Sequence, residues 1–394
     1  MIKQIVKEFV TNNTFDKYVI AYSGGVDSQV LLHAFAAIIP EKVVAYHVNH
    51  GISSNAETWE SFCRNTAESL GVEFKVSHFH LKDESNLEDK ARVARYGAFA
   101  SLVDNEKVAL VTGHHLDDQA ETFFLNLMRG SGLDGLSAMP MRKSFAGGFH
   151  VRPFLGVSKE DLTEYAVLND LKWVEDESNK DSTYDRNFIR NQVMPLLKTR
   201  WSHAAANIGS SIKHIQEAKE YVDSKVENFD YSSDKLKIEN LVDLDQYEKI
   251  QVLRKWVYFN LGKSASQNMI NYILDCILPA KDDAKMKWEQ KNYFITRFNG
   301  MLYFVNKETK RIVLNDILKK GNIVVPDTAS ITVKKRVNGE KIKVKGNFHK
   351  DVKKIFQEMK IPVWERDEML FVYFDDELVS VGGIINNPDY TRKN

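Results

Sequence analysis

From residue 18 the chain alternates short apolar runs with longer stretches of helical spacing. YVIAYS (18–23), VVAYHV (43–48), EFKVSHF (73–79) and VALVTGH (108–114) are short, bounded by polar residues and rich in β-branched and aromatic side chains, so they predict strands. Residues 29–38 and 56–70 repeat their apolar positions every three or four residues and predict helices. Strands alternating with helices argue for an α/β fold of Rossmann-like kind, a parallel sheet flanked by helices on both faces. Such sheets bind ligands at the carboxyl ends of their strands, and the most polar clusters of this sequence fall there.

The pattern changes near residue 200, which divides the chain into a catalytic domain (1–200), a mainly helical middle domain (201–314) and a small α+β C-terminal domain (315–394). Long helical patterns cover 204–226 and 244–261, and two strand-like runs follow at 293–298 and 301–305. Beyond residue 314 the pieces IVV (323–325), ITV (331–333) and IKV (342–344) predict strands, 350–359 a helix, and 370–374 and 378–382 two more strands. No internal repeat or low-complexity tract interrupts this order.

Charge refines the picture only locally. Lys and Arg number 54 and so do Asp and Glu, so a nucleic-acid footprint must come from segregation of charge. Residues 332–360 provide it, with ten basic residues against three acidic ones, Lys334, Lys335 and Arg336 among them. A solvated face of a small sheet would carry the same charge. The two cysteines, Cys63 and Cys276, form no CxxC pair, which speaks against a disulfide framework, a zinc ribbon or a thiol relay and for a reducing compartment. The opening MIKQIVKEFV has no apolar core or cleavage site and no stretch is long enough to span a bilayer; the expectation is a cytoplasmic protein with no membrane partner.

The sharpest chemical signal is Ser23-Gly24-Gly25-Val26-Asp27-Ser28, between a predicted strand and a predicted helix. Glycines let the backbone approach phosphates, serines add hydroxyls, and the helix N-terminus offers free N–H groups and a favourable dipole. The Gly-Lys-Ser/Thr ending of a Walker loop is missing, and Asp27 would repel phosphate unless a magnesium ion bridged them. A plain glycine turn capped by Asp27 is the bland alternative. A second cluster, Gly113-His114-His115-Leu116-Asp117-Asp118-Gln119-Ala120-Glu121-Thr122, follows the strand VALVT. Its imidazoles and carboxylates suit magnesium, with Asp27, Asp117 and Asp118 as ligands, although zinc or a simple polar helix start fits the residue types too.

SGGVDS resembles the PP-loop of the N-type ATP pyrophosphatases, which implies ATP cleaved between its α and β phosphates and an adenylated substrate. Further segments resemble the tRNA(Ile)-lysidine synthetases: His47-Val48-Asn49-His50-Gly51, Ala91-Arg92-x-x-Arg95-Tyr96, Arg129-Gly130-Ser131-Gly132-Leu133-Asp134-Gly135-Leu136, Arg152-Pro153, Asp176-Glu177-Ser178-Asn179, Arg186-Asn187-x-x-Arg190 and Met194-Pro195-Leu196. The run Phe356–Arg366 and Val381-Gly382-Gly383 resemble that family's C-terminal domain. Taken singly, Arg92, Arg95, Arg186 and Arg190 also read as ordinary charges on helix faces, and the RGSGLDGL run as a loop exit.

The resemblance implies ATP and Mg2+ as cofactors, and as partners free L-lysine and the isoleucine tRNA with a CAU anticodon. It implies an ATP site made by residues 23–28 with His50 and His114, catalytic roles for Asp27, Asp117, Asp118 and Arg190, and tRNA contacts through Arg92, Arg95, Arg129, Arg186, Asn187, Lys334, Lys335 and Arg336. The sequence does not fix the oligomeric state, and a homodimer is among those it allows. Two departures stand out: Glu177 where a proline is expected, and Ile52-Ser53 where Leu-Arg is more usual. The competing readings are a PP-loop tRNA thiolase and a non-catalytic tRNA-binding relative; an intact SGGVDS loop counts against the second.

Overall fold

A computed structural model describes residues 1–51, 55–79, 87–175, 181–281, 286–307, 313–337, 339–346 and 348–392. Ile52, Ser53 and the Asp176-Glu177-Ser178-Asn179 segment lie outside the described residues. The chain forms two compact units, Met1–Tyr221 and Val222–Asn394.

The first unit is built on β1 (Lys17–Ala21), β2 (Val43–Asn49), β3 (Glu73–His78), β4 (Val108–Val111), β5 (Arg142–Phe145) and β6 (Gly148–Val151), in the sheet order β3-β2-β1-β4-β6-β5. Neighbours are parallel except in the β5–β6 hairpin. Its helices are α1 (Ile2–Asn12), α2 (Val26–Ala36), α3 (Ala56–Ser69), α4 (Leu87–Ala100), α5 (Leu116–Met128), α6 (Leu133–Leu136), α7 (Lys159–Leu168), α8 (Asp185–Phe188), α9 (Met194–Arg200) and α10 (Ala204–Lys225).

Strand periodicity sends successive side chains to opposite faces. Tyr18, Ile20, Val43, Ala45, Ala109 and Val111 meet Phe9 of α1, Leu31 and Phe35 of α2, Ala67 of α3 and Leu162 of α7. Val19, Tyr46 and Leu110 meet Ala98 and Phe99 of α4 on the other face. The parallel sheet with helices on both faces, as expected from the sequence, is therefore present. From β1 the chain runs outward to β2 and β3, then crosses back to place β4 on the other side of β1. The cleft between the ends of β1 and β4 is the topological switch point, where an open α/β sheet binds its ligand.

A smaller apolar cluster joins Ala120 of α5 to Ile189, Met194 and Ala205. It lays the helical run that starts at Asp185 along α5. Between α8 and α9 this run passes through a π-helical turn, Ile189–Val193, in which the Met194 N–H bonds to the Ile189 carbonyl. Pro195 explains the irregularity, because it has no N–H to return to the carbonyl four residues back.

The second unit begins with an antiparallel sheet of β7 (Lys235–Lys237), β8 (Lys287–Glu289), β9 (Tyr293–Phe298) and β10 (Met301–Asn306), ordered β7-β10-β9-β8. It packs with α11 (Gln246–Leu261) and α12 (Gln267–Tyr272) around the fully buried Trp256. Asp245 and Glu248 cap α11 reciprocally, and Gly262 ends it at φ +69°. Then follow α13 (Leu314–Lys320), β11 (Ile331–Lys335), β12 (Lys341–Lys345), β13 (Phe348–Asp351), α14 (Val352–Glu358), α15 (Val363–Glu368), β14 (Leu370–Phe374), β15 (Glu377–Val381) and β16 (Ile385–Asn386). β11, β14, β15 and β16 form one sheet in that order, and β12 and β13 a hairpin. The IVV piece makes no strand; Ile323 forms a single bridge to Thr391, and Pro326, three residues on, has no N–H to donate. No described helix is long and apolar enough to cross a membrane.

Candidate active site

The segment after β1 turns sharply into α2. Gly24 sits at φ +85°, and a Cβ there would lie 2.9 Å from the Cys63 sulfur of α3. Gly25 caps α2. The Ser28 hydroxyl donates to the Gly25 carbonyl at 2.9 Å and lies 3.2 Å from the Ser23 hydroxyl, so both hydroxyls face the turn. The Gly24 carbonyl accepts from the Val174 N–H at 2.9 Å, which holds the loop from behind.

We expect Gly24→Ala to cost about 1–3 kcal/mol, from the left-handed backbone and from the clash with sulfur. The additional change Cys63→Ala removes the clash and should return part of that loss in denaturant unfolding. An equal cost of Gly24→Ala in both backgrounds would mean that the sulfur is not the obstacle.

The segment after β4 closes onto this loop. A Cβ on Gly113 would stand 2.9 Å from the Asp27 carbonyl oxygen, so the two backbones touch where only glycine fits. Lys159, the first residue of α7, joins the two segments: its ammonium lies 2.6 Å from Asp27 Oδ1 and its N–H donates to Asp117 Oδ2 at 3.0 Å. Ser158 fixes that position as N-cap of α7 by accepting the Asp161 N–H. His115, buried, stands 3.7 Å from Asp27, 3.8 Å from Asp117 and 3.4 Å from Asp118.

The three aspartates have different neighbours. Asp117 Oδ1 accepts from Lys198 at 2.8 Å. Burial would raise its pKa, but the Lys198 ammonium and the Lys159 N–H outweigh burial and hold it below its ordinary value. Asp118 Oδ1 accepts from Arg186 at 2.9 Å and Arg190 at 3.1 Å, and Oδ2 accepts the His115 N–H at 3.0 Å. Burial pushes this carboxyl up as well; the charges of His115, Arg186 and His114 and the His115 N–H overcome it and hold it at about 2. Glu121, whose side chain is only 2% exposed, accepts from Arg186 at 2.8 Å and takes both an Nε and an Nη2 bond from Arg190, at 2.6 and 2.9 Å. Arg186 and Arg190, four residues apart, thus grip the same two acids of α5.

A separate polar chain runs under the β4 end. His114 Nδ1 lies 2.7 Å from the Thr112 hydroxyl, which lies 2.9 Å from His150 Nε2, and His150 Nδ1 lies 3.0 Å from Arg152 Nη2. His50, at the end of β2, has its Nε2 3.4 Å from Arg95 Nε of α4. Burial, then the Arg95 charge, pushes His50 down to about 4, so it is neutral at physiological pH.

Among the site residues expected from sequence, Ser23, Gly24, Gly25, Val26, Asp27, Ser28, His114, Asp117, Asp118, Arg186 and Arg190 belong to these connected segments. Arg92 and Arg95 are exposed on α4, Arg92 over the Tyr96 ring at 5.1 Å. Arg129 is exposed at the end of α5, and Asn187 donates to the Asp181 carbonyl at 2.9 Å. Lys334 and Lys335 are exposed on β11 in the second unit, while Arg336 lies against Phe356 and Asp367. Sequence reasoning gave no role to Lys159, Lys198, Glu121, Thr112 or His150. Lys159 had one usable signal, its place just after a Ser158 cap; the others are joined only by the sheet and by the helical run over α5.

Among the described residues no group of three or more His, Cys, Asp or Glu side chains could hold a metal by itself. Magnesium takes one or two carboxylates and completes its shell with water and substrate phosphates. Asp27, with hard oxygens at the phosphate loop, suits it; Asp118, committed to two arginines and an amide, has little left to give.

Residues 1–197 match the PP-loop domain and residues 331–394 the TilS substrate C-terminal domain. A tRNA(Ile)-lysidine synthase of Legionella pneumophila (strain Paris) is 36% identical over 94% of this chain and 91% of its own length. One from Coxiella burnetii (strain RSA 493 / Nine Mile phase I) is 34% identical over 97% and 92%. A solved U34-tRNA thiolase from Methanococcus maripaludis superposes with a TM-score of 0.46 at 19% identity, covering 55% of this chain and 78% of that one. With a PP-loop domain over its first half and relatives alike over nearly its whole length, this chain belongs to the tRNA(Ile)-lysidine synthase family.

Proposed function

We propose that this protein uses ATP to join free L-lysine to C2 of the wobble cytidine in the CAU-anticodon isoleucine tRNA, releasing AMP and pyrophosphate. The observation that carries this reading is the meeting of the SGGVDS loop and the β4 segment at the sheet's switch point, with Lys159 touching both Asp27 and Asp117. Cationic and N–H donors, hydroxyls and carboxylates come together there, the groups that a metal-bound triphosphate requires.

In the first step the cytosine carbonyl oxygen attacks the α-phosphorus of ATP in line and pyrophosphate leaves. Backbone N–H groups and hydroxyls of residues 23–28 hold the phosphates, and Lys159 adds a positive charge at the same point. Asp27 would hold Mg2+, which would offset charge on the departing pyrophosphate, while Asp117 stands on the other side of Lys159. His114 and His50, both neutral, offer hydrogen bonds to the nucleotide. In the second step the lysine amine, deprotonated, attacks C2 and AMP carries away the former carbonyl oxygen. Asp117 and Asp118 are poor acceptors for that proton, since their neighbours hold both below the ordinary carboxylate range. Their role is to fix Lys198, Arg186 and Arg190. Arg190 then supplies positive charge beside the phosphates.

Arg92, Arg95, Arg129 and Asn187 are the contacts we assign to the anticodon side of the tRNA. The basic segment 315–394, with Lys334, Lys335 and Arg336, we assign to its phosphate backbone. We propose a cytoplasmic location, where the protein would meet its tRNA substrate. Thiolation finds no support in the cysteines near the site. Cys63 is fully buried behind Gly24, and burial, with the Glu60 charge, pushes its thiol up to about 12, the reverse of a nucleophilic thiolate.

The test is incubation with labelled lysine, ATP, Mg2+ and a panel of tRNA transcripts. Label should enter only the CAU-anticodon isoleucine species. Lysine entering none of the tRNAs, or several of them alike, would refute the assignment.

A further inference from the structure

The polar chain beneath β4 has a direction that its chemistry dictates. Arg152 is buried, and its guanidinium can only donate. It gives one N–H to the Pro140 carbonyl at 2.9 Å and another to His150 Nδ1 at 3.0 Å. His150 Nδ1 must therefore accept, so the His150 proton is on Nε2 and is donated to the Thr112 hydroxyl 2.9 Å away. The hydroxyl of Thr112, itself buried, has two hydrogen-bond partners among the described residues, His150 and His114. Its own proton then has one acceptor, His114 Nδ1 at 2.7 Å; turned elsewhere, it would be a buried donor without a partner.

We propose that Arg152, His150 and Thr112 are positioning residues that hold His114 as its neutral Nε2–H tautomer, so that His114 presents the bound nucleotide with a hydrogen-bond donor. The catalytic part of this inference rests on the adenylation reading above; the tautomer part does not.

The electrostatics agree. Burial, then the Arg152 charge, pushes His150 down to about 2. Burial is also the largest influence on His114, and with the charges of Arg152, Arg186 and Arg92 it overcomes Asp118 and leaves the ring at about 4. An imidazolium at either position would place a proton on a nitrogen that the chain needs as an acceptor. For phosphate the consequence is specific. A neutral Nε2–H contributes a directed hydrogen bond and adds no charge to a site where Lys159, Arg186 and Arg190 already stand.

The experiment uses the full-length protein with 15N-labelled histidine and reads each ring's tautomer from long-range 1H–15N correlations. The His114 signals are those missing in His114→Gln. The expected wild-type pattern is Nε2–H alone. An Nδ1–H ring, a mixture of the two forms, or an imidazolium at neutral pH overturns the proposal.

Thr112→Val keeps the shape and strand preference of the side chain but breaks the chain; Thr112→Ser keeps the hydroxyl. In Thr112→Val the His114 ring should become a mixture of tautomers, and kcat for pyrophosphate release from ATP with tRNA and lysine should fall about tenfold with KM for ATP within about twofold. Thr112→Ser should restore both readouts. A pure Nε2–H ring in Thr112→Val shows that the chain is not what sets the tautomer, and a mixture with unchanged kcat removes the catalytic role; either result overturns the proposal. If the wild-type protein releases no pyrophosphate at all, the assigned reaction fails while the wild-type tautomer still decides the positioning claim.

Discussion

Asp27→Asn should lower pyrophosphate release by about a thousandfold or more while leaving tRNA affinity in a filter-binding assay unchanged. Asparagine keeps the size and one oxygen but loses the charge, so it weakens the magnesium ligand and removes the counter-charge of Lys159 together. Its effect on stability should be small, about 1 kcal/mol or less, because the Asp27 and Lys159 side chains remain 32% and 38% exposed and water screens the pair. A large kinetic loss without a fold defect is therefore the expected signature. Lysidine formed at a near-normal rate by this variant would take Asp27 out of the chemistry.

Arg190→Met should have the second largest effect, and it should act on stability as well as activity. Arg190 makes three hydrogen bonds to Glu121 and Asp118, both nearly inaccessible, and together those acids and Asp27 raise its pKa against the opposing effect of burial. Losing one partner of a fully buried ion pair costs about 3–5 kcal/mol. Here Arg186 remains and the Arg190 side chain is 35% exposed, so we expect about 1–3 kcal/mol at neutral pH, with adenylation slowed at least about a hundredfold. The pH dependence has a defined sign. Asp118 titrates at about 2 when folded against an ordinary 3.8, so its contribution is complete above the ordinary value and disappears as pH falls through the folded one. The cost of Arg190→Met, read from denaturant midpoints, should thus be level down to about pH 4 and shrink below it. A cost that grows on acidification would contradict the ion-pair account.

Much of this was legible in the sequence because it depends on local patterning. The first four strands were readable since each is a compact apolar run, and the fold class follows from their alternation with helices. The phosphate loop was readable because its requirements, glycine at a left-handed position and a helix starting at once, are sequence-local. The β5–β6 hairpin was not: Gly147 and Gly148 mark its turn, but its strands are four residues each and Arg142–Phe145 is largely polar and exposed, so no strand periodicity shows. β7 and β8 are three residues each, too short for a periodicity to show.

The candidate site divides in the same way. Asp27, Asp117 and Asp118 stand next to recognisable loops, yet the partners that separate their roles are distant in sequence: Lys159 for Asp27, Lys198 for Asp117, and Arg186 with Arg190 for Asp118. Helical spacing placed Arg186 and Arg190 on one face and left open what that face meets. Packing answers it, since Ala120 and Ile189 bring the run onto α5 and the arginines onto Glu121. The Thr112–His150 link likewise exists only because β6 pairs with β4.

The central claim is that ATP held at the Asp27 loop is attacked at its α-phosphorus by the tRNA base. The most direct measurement gives the protein ATP labelled at the α-phosphate, Mg2+ and the CAU-anticodon tRNA, with lysine withheld. The account predicts labelled adenylate on the tRNA and a matching amount of pyrophosphate, with label released as AMP when lysine is added. ADP and inorganic phosphate as products, or a tRNA that never acquires label, would contradict it.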